Sequence, residues 1–191
     1  GFLKPGLLCH PGVSFAGDVV TVDIGLNLAQ YADPTLQPIA HLLESAEIND
    51  WSPSRASSDA KWDRGHVAIF AGGGAGVLAA HGAFCAGAGL VTLMQPRQNW
   101  PHLKGLWPEV ILTEPESLNP KRHDVLVMGP GLGISEGNAI RVRKLWDEFP
   151  GCVVADADAL TMLVSHEGEP SGPRIITPHA AEAARLLGLT R

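Results

Sequence analysis

The chain has 191 residues, 45% of them apolar and 18% charged, with a net charge of -6. That length can bury one sizeable core, and an acidic balance without clustered Lys and Arg argues against generic nucleic-acid binding. No apolar run approaches the roughly 20 residues that span a bilayer, and the start carries no basic-then-apolar leader, so a cytoplasmic protein with no membrane partner is expected.

Cys9, Cys85 and Cys152 are odd in number and lack CxxC spacing, which argues against a disulfide framework or zinc site and predicts core-filling thiols. A local phosphate site made of backbone amides stays compatible with the charge.

In chain order, Lys4-Pro5-Gly6 is a turn, and Asp18-Val19-Val20-Thr21-Val22-Asp23-Ile24-Gly25 reads as a strand from its β-branched content. A chain that opens on turn chemistry has the look of a piece cut from a longer one. Pro34, Pro38 and Pro53 then punctuate a loose stretch in which Ile39, Leu42, Leu43 and Ala46 have short helical spacing. Ser52 to Ala60 reads as a polar linker, and Asp63 with Arg64 as a surface charge pair.

From His66 onward buried strands alternate with helices. His66 to Ala71 and Gly89 to Met94 are continuous apolar runs of the kind buried on both faces of a parallel sheet. Between them Ala75 to Ala88 predicts a helix whose small residues allow close packing, with His81 a partly buried polar side chain. Trp100, Leu103, Leu106 and Trp107 predict one apolar helical face, followed by a strand over Glu109 to Leu112. Further strands are expected at Val125 to Met128, Cys152 to Ala155 and Arg174 to Ile176. Helices are expected at Gly137 to Phe149, Asp158 to Val164 and Ala180 to Leu187, with Gly188 as a cap. This order predicts an α/β, doubly wound, mostly parallel sheet flanked by helices. Its expected core is Val67, Ile69, Leu90, Val91, Leu93, Val125, Leu126, Val127, Val153, Val154, Ile175 and Ile176.

The chemistry-bearing residues cluster where those strands end. Val125 to Met128 runs into Gly129-Pro130-Gly131-Leu132-Gly133, and His66 to Ala71 into Gly72-Gly73-Gly74. Bare backbone at a strand's carboxyl end lets a ligand approach closely, and open α/β sheets bind ligands at that edge. Asp156 and Asp158 flank Ala157 after another strand. Together they could hold a divalent cation, position a water or bond a ribose hydroxyl, and one of them is assigned to capping the next helix. His179 ends a further strand and either serves that rim or caps the following helix, with Glu182 one turn on sharing the site or facing water. No GxGxxG fingerprint in register, no GxxxxGK[ST] and no GxSxG elbow is present.

Taken together, Lys61-Trp62-Asp63-Arg64-Gly65-His66-Val67, Ala86-Gly87-Ala88-Gly89-Leu90-Val91, Pro108-Glu109-Val110, the glycine turn, Asp156-Ala157-Asp158-Ala159-Leu160 and Thr177-Pro178-His179 with Glu182 resemble the ADP/ATP-dependent NAD(P)H-hydrate dehydratases. These form a branch of the ribokinase-like fold. The resemblance runs from about Leu43 to Gly188. The opening, Lys4 to Leu7 through Gly17-Asp18 to Asp23-Ile24-Gly25, is similar to the last part of an NAD(P)H-hydrate epimerase domain. The implied division is 1–28 as the tail of an epimerase-like domain, 29–60 as linker and leading helix, and 61–191 as the N-terminal part of a dehydratase domain.

The resemblance implies an enzyme, a carbon-oxygen lyase that takes the 6S hydrate of NADH or NADPH, phosphorylates the added hydroxyl from ADP or ATP with Mg2+, and eliminates phosphate. Carried over by motif position, Ala75, Gly129, Gly131, Gly133 and His179 would contact the hydrate, and Asp156 and Asp158 would line the cleft. No resident metal site is expected, and a homo-oligomer, a tetramer as in the family, is. Two departures stand out. The family continues into a Lys-Gly nucleotide segment and a Gly-Met-Gly-Asp motif carrying the catalytic base, which would lie beyond Arg191, so this stretch alone is expected to be inactive. Between Gly73 and Val77 the family usually carries several more residues, so the loop here is either short or incomplete. The competing readings are a small-alcohol kinase of the same fold and a non-catalytic nucleotide-binding domain.

Overall fold

The computed structural model describes residues 3–25, 41–51 and 56–189, and the chain divides into two compact units, Gly1–Arg55 and Ala56–Arg191. In the first unit the described elements are three short helices: α1 (Pro5–Leu8), α2 (Val13–Ala16) and α3 (Ser45–Trp51). The strand expected at Asp18 to Gly25 does not form. That stretch is irregular, and Val20 is 78% exposed. β-branched content favours a strand only where a neighbouring strand and a packing face exist, and every strand of the sheet lies in the second unit. The helical spacing around Ile39 to Ala46 is realised later, as α3. Leu42 and Leu43 are irregular and exposed, while Ile39 and residues 52–55 of the linker lie outside the described residues.

The second unit is built on six parallel strands: β1 (His66–Phe70), β2 (Leu90–Met94), β3 (Ile111–Thr113), β4 (Val125–Met128), β5 (Cys152–Ala155) and β6 (Arg174–Ile176). Their spatial order is β3-β2-β1-β4-β5-β6, with every neighbouring pair parallel. The helices are α4 (Gly73–Cys85), α5 (Glu136–Glu148), α6 (Asp158–Leu163) and α7 (Ala180–Leu186). The expected doubly wound architecture is therefore the one observed.

Alternation along each strand divides the core in two. Ala68, Phe70, Met94, Leu126, Met128, Val153 and Ala155 pack with Val142 and Phe149 at α5 and with Leu160 and Met162 of α6. On the other face Ile69, Ala71, Val91 and Leu93 pack with Ala80 and Phe84 of α4. Small residues on α4 make this approach possible: a Cβ at Gly76 would stand 2.9 Å from the Leu93 side chain.

Several core expectations need correction. Val67, Val125, Val127 and Val154 are only half-buried, and Ile175 and Ile176 are 50% and 47% exposed. Helix α4 packs on β1 and β2, whereas β6 is an edge strand with β5 as its neighbour. The thiols do not fill the core either: Cys9 and Cys85 are exposed and Cys152 is half-buried. The apolar face drawn through Trp100 and Trp107 is not one helix. Arg97–His102 is a 3-10 turn with Pro101 inside it, and Gly105 follows at φ +76°. A proline without an N–H and a left-handed glycine break the periodicity, yet Leu103 and Leu106 still reach the α4 side of the core. Asp63 does not pair with Arg64. Its carboxylate accepts from the Ala60 N–H at 2.9 Å, and Arg64 lies 3.9 Å from Asp59. His81 is partly buried as expected, stacked on Trp107 at 4.3 Å. Gly188 ends α7 at φ +64°, with the Leu189 N–H donating back to Ala184 at 2.8 Å.

Candidate active site

Strand order reverses between β1 and β4, and open sheets of this kind split into a crevice where the chain leaves those two strands in opposite directions. The residues that follow them are the glycines. The Gly72 N–H donates to the Pro130 carbonyl at 2.9 Å, and the Gly129 N–H donates to the Phe70 carbonyl at 2.9 Å, so the two turns are laced by backbone alone. Contact is so close that a Cβ on Gly72 would collide with the Gly131 carbonyl. One on Gly129, which sits at φ +118°, would collide with the Asp156 carbonyl. Both collisions are with backbone, which cannot swing aside as a flexible side chain would.

Other sequence-predicted residues gather at this turn. A methyl on Gly131 would stand 3.1 Å from the Ala75 Cβ, so Ala75 at the start of α4 faces the glycine turn. Gly73 opens α4 directly after Gly72, leaving a minimal connection from strand to helix. Asp158 reaches across from α6, its Oδ2 accepting from the Gly133 N–H at 2.8 Å. Asp156 is placed beside the turn by its N–H, which donates to the Met128 carbonyl at 3.1 Å. The assignment of one aspartate to capping is corrected: the N-cap of α6 is Ala157, and no side chain bonds there. Ala157 has φ +50° and ψ -117°, a conformation that an L residue adopts only under strain.

His179 stands apart from this group, after β6 at the sheet edge. Its Nδ1 accepts from the Ala181 N–H at 3.1 Å, which leaves the proton on Nε2, 3.3 Å from Glu182 Oε1. Glu182 Oε2 in turn accepts from the His179 N–H at 2.9 Å, closing a capping box at the start of α7. Glu182 is buried by this role, and the His179 side chain is 66% exposed.

A cleft of about 290 Å³ opens at the carboxyl ends of β1, β2 and β4, bordered by Gly72, Gly73, Gly131 and Leu132. It also receives Gln95, Asn99, Asn138 and Arg141, which motif reasoning missed. Gln95 was within reach, since it follows β2 as Gly72 follows β1. Asn138 and Arg141 come from α5, whose N-terminus is set by Ser135 Oγ accepting from the Asn138 N–H at 3.2 Å. Nothing local marks their side of the helix. A larger cavity, about 610 Å³, lies around His66, Thr92 and His123 and shares no lining residue with the cleft. It is walled by side chains rather than by bare backbone, and the glycine-lined cleft at the reversal of strand order is the one built for close ligand approach.

Comparison with known proteins agrees with this geometry. The family profile of the NAD(P)H-hydrate dehydratases matches residues 67–191. The bifunctional NAD(P)H-hydrate repair enzyme of Escherichia coli K12 is 33% identical over 194 residues, covering 97% of this chain and 37% of that protein. Its counterpart from Mycobacterium tuberculosis H37Rv is 36% identical over 198 residues, covering 98% and 38%. The chain thus spans about two fifths of the length of the curated relatives it matches. Among solved structures, the ADP/ATP-dependent NAD(P)H-hydrate dehydratase of Bacillus subtilis, co-crystallised with ATP and Mg2+, superposes with a TM-score of 0.62 at 25% identity, covering 71% of this chain and 52% of that one. A Streptococcus mutans protein, SMU.573, superposes with a TM-score of 0.68 at 25% identity, covering 78% and 59%. With residues 67–191 matched and the sheet order and glycine turns in place, this chain belongs to the NAD(P)H-hydrate dehydratase family.

Proposed function

We propose that the protein repairs hydrated nicotinamide cofactors, converting the 6S hydrate of NADH or NADPH back to the reduced dinucleotide at the expense of ADP or ATP. The observation that carries this reading is the glycine-lined cleft at the reversal of strand order in a chain of this family. Hydroxide is a poor leaving group and phosphate a good one. With ADP, the hydroxyl oxygen attacks the terminal phosphorus, the bond from that phosphorus to the AMP oxygen breaks, and AMP departs. The carbon-oxygen bond then breaks with its electron pair leaving on phosphate. A proton lost from the adjacent carbon restores the ring double bond, so the products are NADH, AMP and inorganic phosphate.

In this scheme the Gly129 to Gly133 turn and Ala75 let the hydrate lie against backbone, and His179 offers an Nε2 proton at the rim. Among the described residues no cluster of three or more His, Cys, Asp or Glu is arranged to hold a metal ion. In this reading magnesium arrives with the nucleotide, since Mg2+ is commonly bound by one or two carboxylates plus substrate phosphates, and Asp156 is the carboxylate proposed to meet it. Bound magnesium would neutralise phosphate charge during transfer. A cytoplasmic location and a tetrameric assembly belong to the same reading; no described helix is long and apolar enough to cross a membrane.

The test uses the intact gene product with NADH hydrate, ADP and Mg2+, following recovery of the reduced nicotinamide absorbance. Recovery should depend on the nucleotide. Because His179 also caps α7, His179→Asn is the informative variant: asparagine preserves a cap while removing the imidazole. Loss of recovery in a folded His179→Asn protein supports the assignment, and full activity removes His179 from the site. No recovery by the wild type with either ADP or ATP would defeat the repair reading.

A further inference from the structure

We propose that Arg141 is the phosphate-reading residue of the cleft, binding a phosphate group of the dinucleotide rather than its reacting ring. The inference rests on the reading that this cleft receives the hydrate. At about 290 Å³ the cleft is at the small end of ligand pockets and takes one part of a dinucleotide, not the whole.

Its polar lining shows which part. Gln95 is 3% exposed and already committed: its Nε2 donates to the Ala71 carbonyl, and its Oε1 accepts from Asn99 Nδ2 at 3.2 Å. Asn138 is committed too, its Nδ2 donating to the Leu132 and Gly133 carbonyls at 3.1 and 2.9 Å. These amides brace the walls. Arg141, one turn further along α5, is the remaining strongly polar group and, among the described residues that line the cleft, the one with a formal charge.

Arg141 is also free to change partners. Its guanidinium lies 5.7 Å from the Phe70 ring centroid at the end of β1, and it pairs with Glu116 on the turn Pro115–Ser117. The Glu116 side chain is 66% exposed, so the pair is solvent-screened and weak, and a phosphate can displace it. A guanidinium binds phosphate oxygens through two parallel N–H donors, which the cation-poor surroundings do not otherwise supply. In a chain of net charge -6, such a local cation favours the entry of a polyanionic substrate.

Two phosphates share this chemistry: the pyrophosphate common to both hydrates and the 2′-phosphate found only in the NADPH form. The experiment measures kcat and KM of the intact gene product for NADH hydrate and NADPH hydrate in the wild type, Arg141→Gln, Arg141→Lys and Glu116→Gln. Arg141→Gln should raise KM by about tenfold or more, the size of a lost charged hydrogen bond, with kcat nearly unchanged. An increase for both hydrates assigns the pyrophosphate, and one confined to NADPH hydrate assigns the 2′-phosphate. Arg141→Lys should recover part of the loss, and Glu116→Gln should leave KM unchanged or lower it. Unchanged KM for both hydrates in an active Arg141→Gln enzyme overturns the proposal, as does a fall in kcat at constant KM. If the wild type turns over neither hydrate, it is the repair reading that has failed. Titration with inorganic pyrophosphate then decides for the arginine, with weaker binding by Arg141→Gln supporting it and equal binding, or none by either protein, overturning it.

Discussion

The two rims of the sheet are held together in different ways. At the carboxyl rim Gly72, Gly129 and Gly131 interlock backbone against backbone, with the Asp158 carboxylate tying the far end of the turn. At the amino rim side chains make the connections. Asp124 Oδ2 accepts from the His66 N–H at 2.8 Å, and the Arg174 guanidinium donates to the carbonyls of Trp146, Phe149, Gly151 and Pro173 at 2.7 to 3.0 Å. The difference is one of emphasis: at the carboxyl rim glycine backbones meet directly, and the side chains of Gln95, Asn138 and Asp158 brace that contact from around it, whereas at the amino rim Arg174 and Asp124 reach between the elements themselves. Added methyls should be costly wherever glycine meets backbone, at Gly129 and also at Gly89 and Gly151 of the amino rim, and deletion should be costly where one side chain serves several carbonyls, as Arg174 does.

The largest expected effect is at the carboxyl rim. Gly129→Ala adds a methyl against the Asp156 carbonyl and Ala159 at φ +118°, and should cost about 4 kcal/mol or prevent folding, read from the denaturant midpoint. Gly133→Ala, at φ +81° with open space around it, should cost only about 1 to 2 kcal/mol, the backbone penalty alone. Equal costs would break the claim that close packing, not φ, dominates at Gly129.

Next comes deletion at the amino rim. Arg174→Ala removes a donor shared by four carbonyls, of which Phe149 keeps Ser171 Oγ and Pro173 keeps the Val153 N–H, and should cost about 2 to 3 kcal/mol in the same measurement. Its effect on the KM for the hydrate should be small, because the cleft lies at the opposite ends of the strands. A large KM change would mean that the rims are coupled.

The amino rim should also respond to acid. Burial first, and then the His123 ring 4.0 Å away, hold His66 below its ordinary value of 6.5. The unfolded chain therefore takes up the proton before the folded one, and stability falls as pH drops through 6.5 toward the folded value. Replacing His66 with Gln should flatten the stability profile between about pH 7 and pH 5. An unchanged slope would assign the acid sensitivity elsewhere.

The smallest expected effect has the opposite sign. Ala157→Gly relieves a conformation at φ +50° and should raise stability by about 1 kcal/mol, while loosening the aspartates on either side.

The carboxyl rim was legible because its signals are local: a short β-branched run followed by glycines marks both strand and turn, as at Val125 to Gly133. Helix α5 was legible for a similar reason: of its apolar residues Ala139, Ile140, Val142, Leu145 and Trp146, all but Ile140, which is 60% exposed, pack on the core. Arg141 was not, since its place in the cleft depends on how α5 crosses the sheet. Ile175 and Ile176 looked like core residues because apolar content does not tell a central strand from an edge. Val19 to Ile24 reads as a strand because its sequence does not show that no strand pairs with it among the described residues. His179 was left between two roles, and its hydrogen bonds show the capping one, to which the proposed contact with the hydrate is an addition.

The most direct measurement counts products. With NADH hydrate, ADP and Mg2+, inorganic phosphate and NADH should appear together in equal amounts, as elimination of phosphate from a phosphorylated hydrate requires. A stable phosphorylated organic product, formed without recovery of NADH, would contradict the repair reading and identify a kinase on the same fold.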